Sequence, residues 1–435
     1  MRDLERLNGT ESDYDSLVEL IGNKRFVLIG EATHGTHEFY QERARITKRL
    51  IEKEAFSAVA VEADWPDAYR VNRYVLGLST DKSAREALSN FRRFPAWMWR
   101  NTDVADFVIW LRTHNESMEK PLRRSRFYGL DLYSLRASID EVISYLDRVD
   151  PKAAIAARLR YSCFESFDQA EDVGPEYGHA VTLKIATPCE EDVIAQLTDL
   201  RSRAGGILAS DGWLAEDEQF FAEQNARLVL NAEQYYRMMY RSNVSSWNLR
   251  DQHMVETLEA LAGHLDSKLE RSKIVVWEHN SHLGDARATS LADEGELNVG
   301  QLVRERWPDD SVLVGFTTHH GWVTAASYWG GPTERKRVRP ALAGSYEKRF
   351  HNQGLNRALI PMQKNSRELK GPRMERAIGV IYKPETEFGS HWFRAALSAQ
   401  FDVVIHIDQT TAVTPLERTS LWDEGEAPET YPMGL

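Results

Sequence analysis

The sequence predicts an α/β fold: a central, mostly parallel sheet flanked by helices, with a large helical insertion. Three observations predict it. Short apolar runs recur along the chain without polar alternation, as strands covered on both faces require. Helical patterns lie between several of these runs, which is the order of a parallel βα sheet. Residues 134–271 read as long helices with no strand between them.

The first expected strand is 25–30 (RFVLIG), followed by 57–62 and 127–131. Further runs at 273–277, 311–316, 377–382 and 401–406 complete the set. Residues 321–327 read as an additional strand after the fifth, and Tyr328-Trp-Gly-Gly-Pro332 as a turn. Helices are expected at about 37–54 and 98–119. Inside the insertion, 134–160 and 190–271 are helical, whereas 161–189 looks irregular around Gly174-Pro175 and Tyr177-Gly178. The insertion reads as a lid or arm within a single domain spanning 1–435, and the tail after about 409 carries few signals.

Composition narrows the function classes. The chain has 435 residues, 42% of them hydrophobic, enough for a substantial core. Its formal charge of −12 argues against a nucleic-acid partner. No run approaches the ~20 apolar residues of a membrane span, and no signal region follows the basic start. Cys163 and Cys189 are too few for a disulfide framework or a four-thiolate zinc site. They are expected to be reduced thiols in a cytoplasmic protein. Nothing in the sequence specifies the oligomeric state.

The expected strands end in chemistry-bearing residues. The first runs into Gly30-Glu31-Ala-Thr-His34-Gly35, the second into Glu62-Ala-Asp64 and the third into Asp131. The next two end in Glu278-His279-Asn280-Ser281-His282 and Thr317-Thr318-His319-His320. Ligands bind beyond the carboxyl ends of parallel strands, so one cleft is expected to hold Glu31, His34, Glu62 and His279. Phe39, Arg43, Ile46 and Leu50 share one helical face, which places an arginine among core residues. A guanidinium there calls for a carboxylate, Glu31 or Glu62, unless it snorkels to solvent. Asp131, Asn280 and His320 join as candidate substrate contacts, with Trp97, Trp99 and Trp322 as apolar walls. Asp131 can equally cap the next helix, His37 is expected to face away or cap locally, and adjacent His319 and His320 cannot both face one cleft. The basic clusters at 123–126 and 335–339 read as solvated faces.

A histidine flanked by carboxylates is a general-base arrangement. His34 can activate water against an ester or lactone carbonyl of a small-molecule substrate, while His279 or His282 donates to the developing oxyanion. Neither a Gly-x-Ser-x-Gly elbow nor a nucleotide-binding glycine motif occurs. No cofactor is expected. The alternative is a divalent metal held by Glu31, His34, His37 and Glu38 or by His279 and His282, although the His-Glu-x-x-His order is absent. A non-catalytic binding protein is a further alternative, disfavoured by so many converging acid and base groups.

These blocks (GEATHG before a helix, then VEAD, then WEHNSH) resemble the erythromycin esterase family over about residues 20–410. The resemblance implies an α/β hydrolase without a serine nucleophile. It implies His34 as the base, Glu31 and Glu62 as its supports, Arg43 as the family's arginine, and His279 and His282 as its later histidines. Macrolide-resistance members of the family open the antibiotic's lactone ring without a metal. Other members carry labels such as succinoglycan biosynthesis protein, and related folds include metal-dependent peptidases.

Overall fold

The computed structural model describes residues 4–167, 173–207, 213–369 and 371–424. Eleven strands form: β1 (Glu5–Arg6), β2 (Phe26–Ile29), β3 (Ala58–Asp64), β4 (Arg126–Asp131), β5 (Ile274–Trp277), β6 (Ser311–Ala325), β7 (Glu334–Val338), β8 (Arg357–Pro361), β9 (Arg373–Arg376), β10 (Trp392–Ala395) and β11 (Val403–Thr410). Nine build one mixed sheet in the order β1-β8-β11-β6-β2-β5-β3-β4, with β7 on β6, while β9 and β10 pair separately. From β11 to β4 every neighbouring pair is parallel; β8, β1 and β7 are antiparallel.

The central strands read as apolar runs because they are covered on both faces. Alternate residues point into two separate cores. Phe26, Leu28, Ile274 and Val276 join the core built with the helices Leu135–Val149, Trp213–Met239 and Asn243–Asp266. Val27, Ile29, Val275 and Trp277 join the other, covered by the helices His37–Glu54 and Thr102–Glu116.

Several expectations change. Residues 321–327 are not a separate strand: β6 runs on to Ala325 and carries Gly321, whose φ of +145° suits glycine. A Cβ there would run into the backbone of Thr410. Residues 377–382 add no strand. They make single bridges instead, Thr33 with Ile378 and Ala326 with Ile381, because the loop after β2 bonds Ile378 while Ala326 bonds Val380 and Tyr382. Residues 161–189 are more regular than expected, with turns of helix at Ser162–Phe167 and Val173–Thr182; residues 168–172 lie outside the description. Cys163 and Cys189 are not free thiols but form a disulfide, brought together as the segment folds back on the helix Trp213–Met239. Strands β8, β9 and β10 escape sequence reading because each has only four or five residues, at least one of them arginine. Among the described residues no helix is long and apolar enough to cross a membrane. Two basic side chains of the clusters read as solvated faces are buried instead, Arg126 and Lys336, the latter against Glu334 and Ser327.

Candidate active site

The carboxyl ends of β2, β3, β4 and β5 open into a cavity of about 500 Å³. His34, Glu62, Asp131, His279 and His282 all line it.

The loop after β2 turns sharply into the helix His37–Glu54. Gly30 and Gly35 pass so close to Asn280 and to the Thr324 backbone that a Cβ at either would overlap them. The turn presents His34, whose Nδ1 lies 2.9 Å from Glu31 Oε1. The other oxygen of Glu31 lies 2.7 Å from Arg43 Nη2. Arg43 is fully buried, so it does not snorkel; its guanidinium also sits over the rings of Tyr40 and Trp277. With one oxygen on Arg43, Glu31 turns the other to accept the Nδ1–H of His34, which leaves the Nε2 lone pair of the imidazole facing the cavity.

His279 has the opposite polarity. It caps the short helix Asn280–Leu283, and its Nδ1 accepts the Ser281 backbone N–H at 3.2 Å, with Ser281 Oγ at 2.8 Å. The proton therefore belongs on Nε2. That atom is buried with no hydrogen-bond partner among the described residues. Burial among the neighbouring imidazoles of His34 and His282 outweighs the attraction of Glu62 and pushes His279 well below the ordinary histidine range, so the ring is a neutral donor. The rings of His34 and His279 are 4.7 Å apart, centre to centre. A base lone pair and an unpartnered N–H thus sit side by side in one cavity.

A charged network supports them. Glu62 Oε2 accepts the His279 backbone N–H at 2.9 Å, and its Oε1 takes Arg250 Nη2 at 2.8 Å. Arg250 also grips Asp131 with two bonds of 2.9 and 2.7 Å and donates to His282 Nε2 at 2.9 Å. His282 Nδ1 donates to Asp251 at 2.9 Å, and the ring stacks on Trp247. Burial opposes charge on His282, but Asp251 and Glu62 outweigh it and raise its proton affinity. Arg250 fills the position facing Nε2, so the ring as placed accepts there. Burial would raise Glu62, yet His282, His34 and Arg250 hold it well below the usual carboxylate range. A depressed native pKa stabilises the fold above the unfolded value near 4.5, and that contribution is lost as the pH falls through the native value. Urea midpoints measured from pH 7 to 3 should fall on acidification, and fall less in Glu62→Gln. Equal slopes in the two proteins would contradict this reading.

The remaining sequence candidates divide. Trp99 lines the cavity and donates its indole N–H to the Glu62 carbonyl at 3.1 Å. Asp131 is Arg250's partner rather than a helix cap. Four others are corrected. Trp97 is buried in the core behind the cavity wall, because its neighbours Ala96 and Met98 take the lining positions. Asn280 is consumed by backbone: it donates to Phe316 O at 2.7 Å and accepts from Phe316 N at 3.2 Å. Trp322 lines a different depression, beside His37 and Arg335, because β6 runs well past the cleft before reaching it. His320 turns toward His319 and Asp408, away from the cavity. His37 bonds Asp103 at 2.9 Å, so the metal ligand set Glu31, His34 and His37 does not converge. The carboxylate oxygens of Glu31 and Glu62 are already engaged by cations and N–H groups.

Sequence reading missed Arg250, Asp251 and Trp247, all on the helix Asn243–Asp266 of the insertion. It also missed Arg93 and Tyr133. Arg93 bonds Asp64 at 3.1 Å and lies over Tyr133, on the same cavity wall. Nearby, burial and the Asp64 charge push Asp67 up to about 8.

The sequence profile named for erythromycin esterase matches residues 51–410. The chain belongs to the erythromycin esterase family. Erythromycin esterase type II of Escherichia coli is 21% identical over 432 residues, covering 93% of this chain and 95% of its own length. Erythromycin esterase type I of the same species is 22% identical over 317 residues, 68% of this chain and 70% of its own. Among solved structures, a succinoglycan biosynthesis protein superposes with a TM-score of 0.72 at 20% identity, covering 95% of this chain and 96% of that one. A mutant of erythromycin esterase EreC in its open conformation gives 0.69 at 17%, covering 94% and 96%. At those identities the structural likeness establishes the erythromycin esterase fold, and membership of the family makes the chain a hydrolase.

Proposed function

We propose that the protein hydrolyses an ester or lactone of a bulky small molecule by direct attack of water, with no metal and no covalent intermediate. The carrying observation is the facing pair of His34, with Nε2 free to accept, and His279, with Nε2–H unpartnered. Water bonded to His34 Nε2 loses its proton to the imidazole as its oxygen attacks the carbonyl carbon. Glu31 stabilises the resulting imidazolium through Nδ1–H, and Arg43 keeps Glu31 in place. The carbonyl oxygen becomes an oxyanion and takes the hydrogen bond of His279. Collapse expels the alkoxide, which recovers the proton from His34. A lactone opened in this way stays in one piece and gains one water.

Macrolide lactones are the substrates to try first, given the named activity of the relatives. The cavity supports a bulky ligand: Trp99, Trp247, Val380 and Ile381 line it together with the exposed Trp329. Incubation with 14- and 16-membered macrolides and simpler lactones, read by mass spectrometry, should show gain of one water on at least one of them. A panel that is bound but never hydrated would contradict hydrolysis and favour a binding protein.

Removing the oxyanion donor should cost about 10²–10³ in kcat, so His279→Ala is expected to be slow. Ser281 touches the same imidazole, but through a local capping contact. Ser281→Ala should therefore keep turnover within a few fold, measured on the same substrate. A loss as large as that of His34→Ala would make Ser281 the nucleophile.

A further inference from the structure

A second cluster of imidazoles lies elsewhere on the sheet. His319 and His320 stand on β6, and Asp408 stands beside them on the parallel neighbour β11. One ligand atom from each lies within 4.8 Å of the other two. None of the three lines the catalytic cavity. His319 is 4% exposed, and its Nε2 is buried with no hydrogen-bond partner among the described residues. Its Nδ1 faces Nδ1 of His320 at 2.9 Å.

Two further histidines orient the group. His351, from the helix Tyr346–Asn352, bonds Asp408 through Nδ1 at 2.9 Å and stacks on His319 with ring centres 3.7 Å apart. His406 lies 3.4 Å from the same carboxylate and is itself fixed by Thr317 at 2.9 Å. Ligating carboxylates are commonly oriented by hydrogen bonds from groups around the metal site. The facing Nδ1 atoms of His319 and His320 can share one proton, but Nε2 of His319 is left buried and unsatisfied.

We propose that His319, His320 and Asp408 bind one zinc-like divalent transition-metal ion, outside the catalytic cleft. Two imidazoles and one carboxylate are borderline and hard donors that suit zinc, and three protein ligands leave one coordination position for water. The ion clamps β6 to β11 and, through His351, ties both to the helix Tyr346–Asn352. It stabilises the folded state by binding it selectively.

The test is equilibrium dialysis of chelator-stripped, full-length protein against zinc, with elemental analysis of the bound ion. Wild type should bind one zinc per chain and melt at a higher temperature with zinc than with chelator. His320→Ala and Asp408→Asn should each weaken binding at least tenfold and abolish the zinc-dependent melting shift, while melting like wild type in chelator. The cleft variant His34→Ala should bind zinc as wild type does. Failure of wild type to bind stoichiometric zinc would overturn the proposal. So would zinc retained in both cluster variants, or lost in His34→Ala.

Discussion

His34→Ala is expected to lose about 10²–10⁴ of the hydrolytic rate, the usual worth of a positioned general base. The fold should barely notice. His34 lies at the cavity wall, and Glu31 keeps its ion pair with Arg43 at 2.7 Å when the imidazole is gone. The lost hydrogen bond is worth about 1 kcal/mol. Thermal unfolding and the initial rate of hydrolysis, measured on the same preparation, separate the two effects. A variant that unfolds several degrees early and is slow only in proportion would place His34 in the scaffold.

Arg250→Met is expected to have the largest effect on stability. Arg250 is the common partner of Asp131, Glu62 and His282. The attraction of Asp131 outweighs burial and keeps the guanidinium charged, while Arg250 in turn holds Asp131 below the usual carboxylate range against its own burial. Removing one member of a buried ion pair typically costs about 3–5 kcal/mol, because the other charge is left without compensation. Urea unfolding should register a loss of that order, and Asp131→Asn on top of Arg250→Met should recover part of it. A loss below about 1 kcal/mol would show that the network is open to solvent. Turnover should fall as well, since Glu62 positions the His279 backbone and would lose its main cation.

Much of this network was legible in the sequence for a physical reason. Buried parallel strands are apolar along most of their length, so the polar residues that follow each run mark the carboxyl edge of the sheet. That is how Glu31, His34, Glu62, Asp131, His279 and His282 stand out, and they all lie at one edge of the sheet. Arg43 was visible because it interrupts an apolar helix face. Arg250 carries the same signal: Met254, Leu258, Leu261 and Leu265 continue its face and are buried. What the sequence does not show is where the insertion docks: its last helix lies against β4, which brings Arg250 to Asp131.

Other features were hidden from periodicity. Residues 377–382 have the composition of a strand, yet they serve as cavity wall, because where an apolar run docks depends on partners distant in sequence. Trp97 and Trp99 differ by two positions, and only the turn between them decides which faces the cavity. His320 reads as a cleft residue from a strand expected to end at 316. That strand, β6, runs to Ala325, so His320 lies within it rather than at its end.

The most direct test of the central claim is hydration of a hydrolysable lactone by wild type and His34→Ala, each with and without chelator. Addition of one water is read by mass spectrometry. Hydration by wild type at the same rate in chelator, and its loss in His34→Ala, is the predicted result. Hydration that survives in His34→Ala, or that chelator abolishes in wild type, would contradict a metal-free reaction driven by the His34 base.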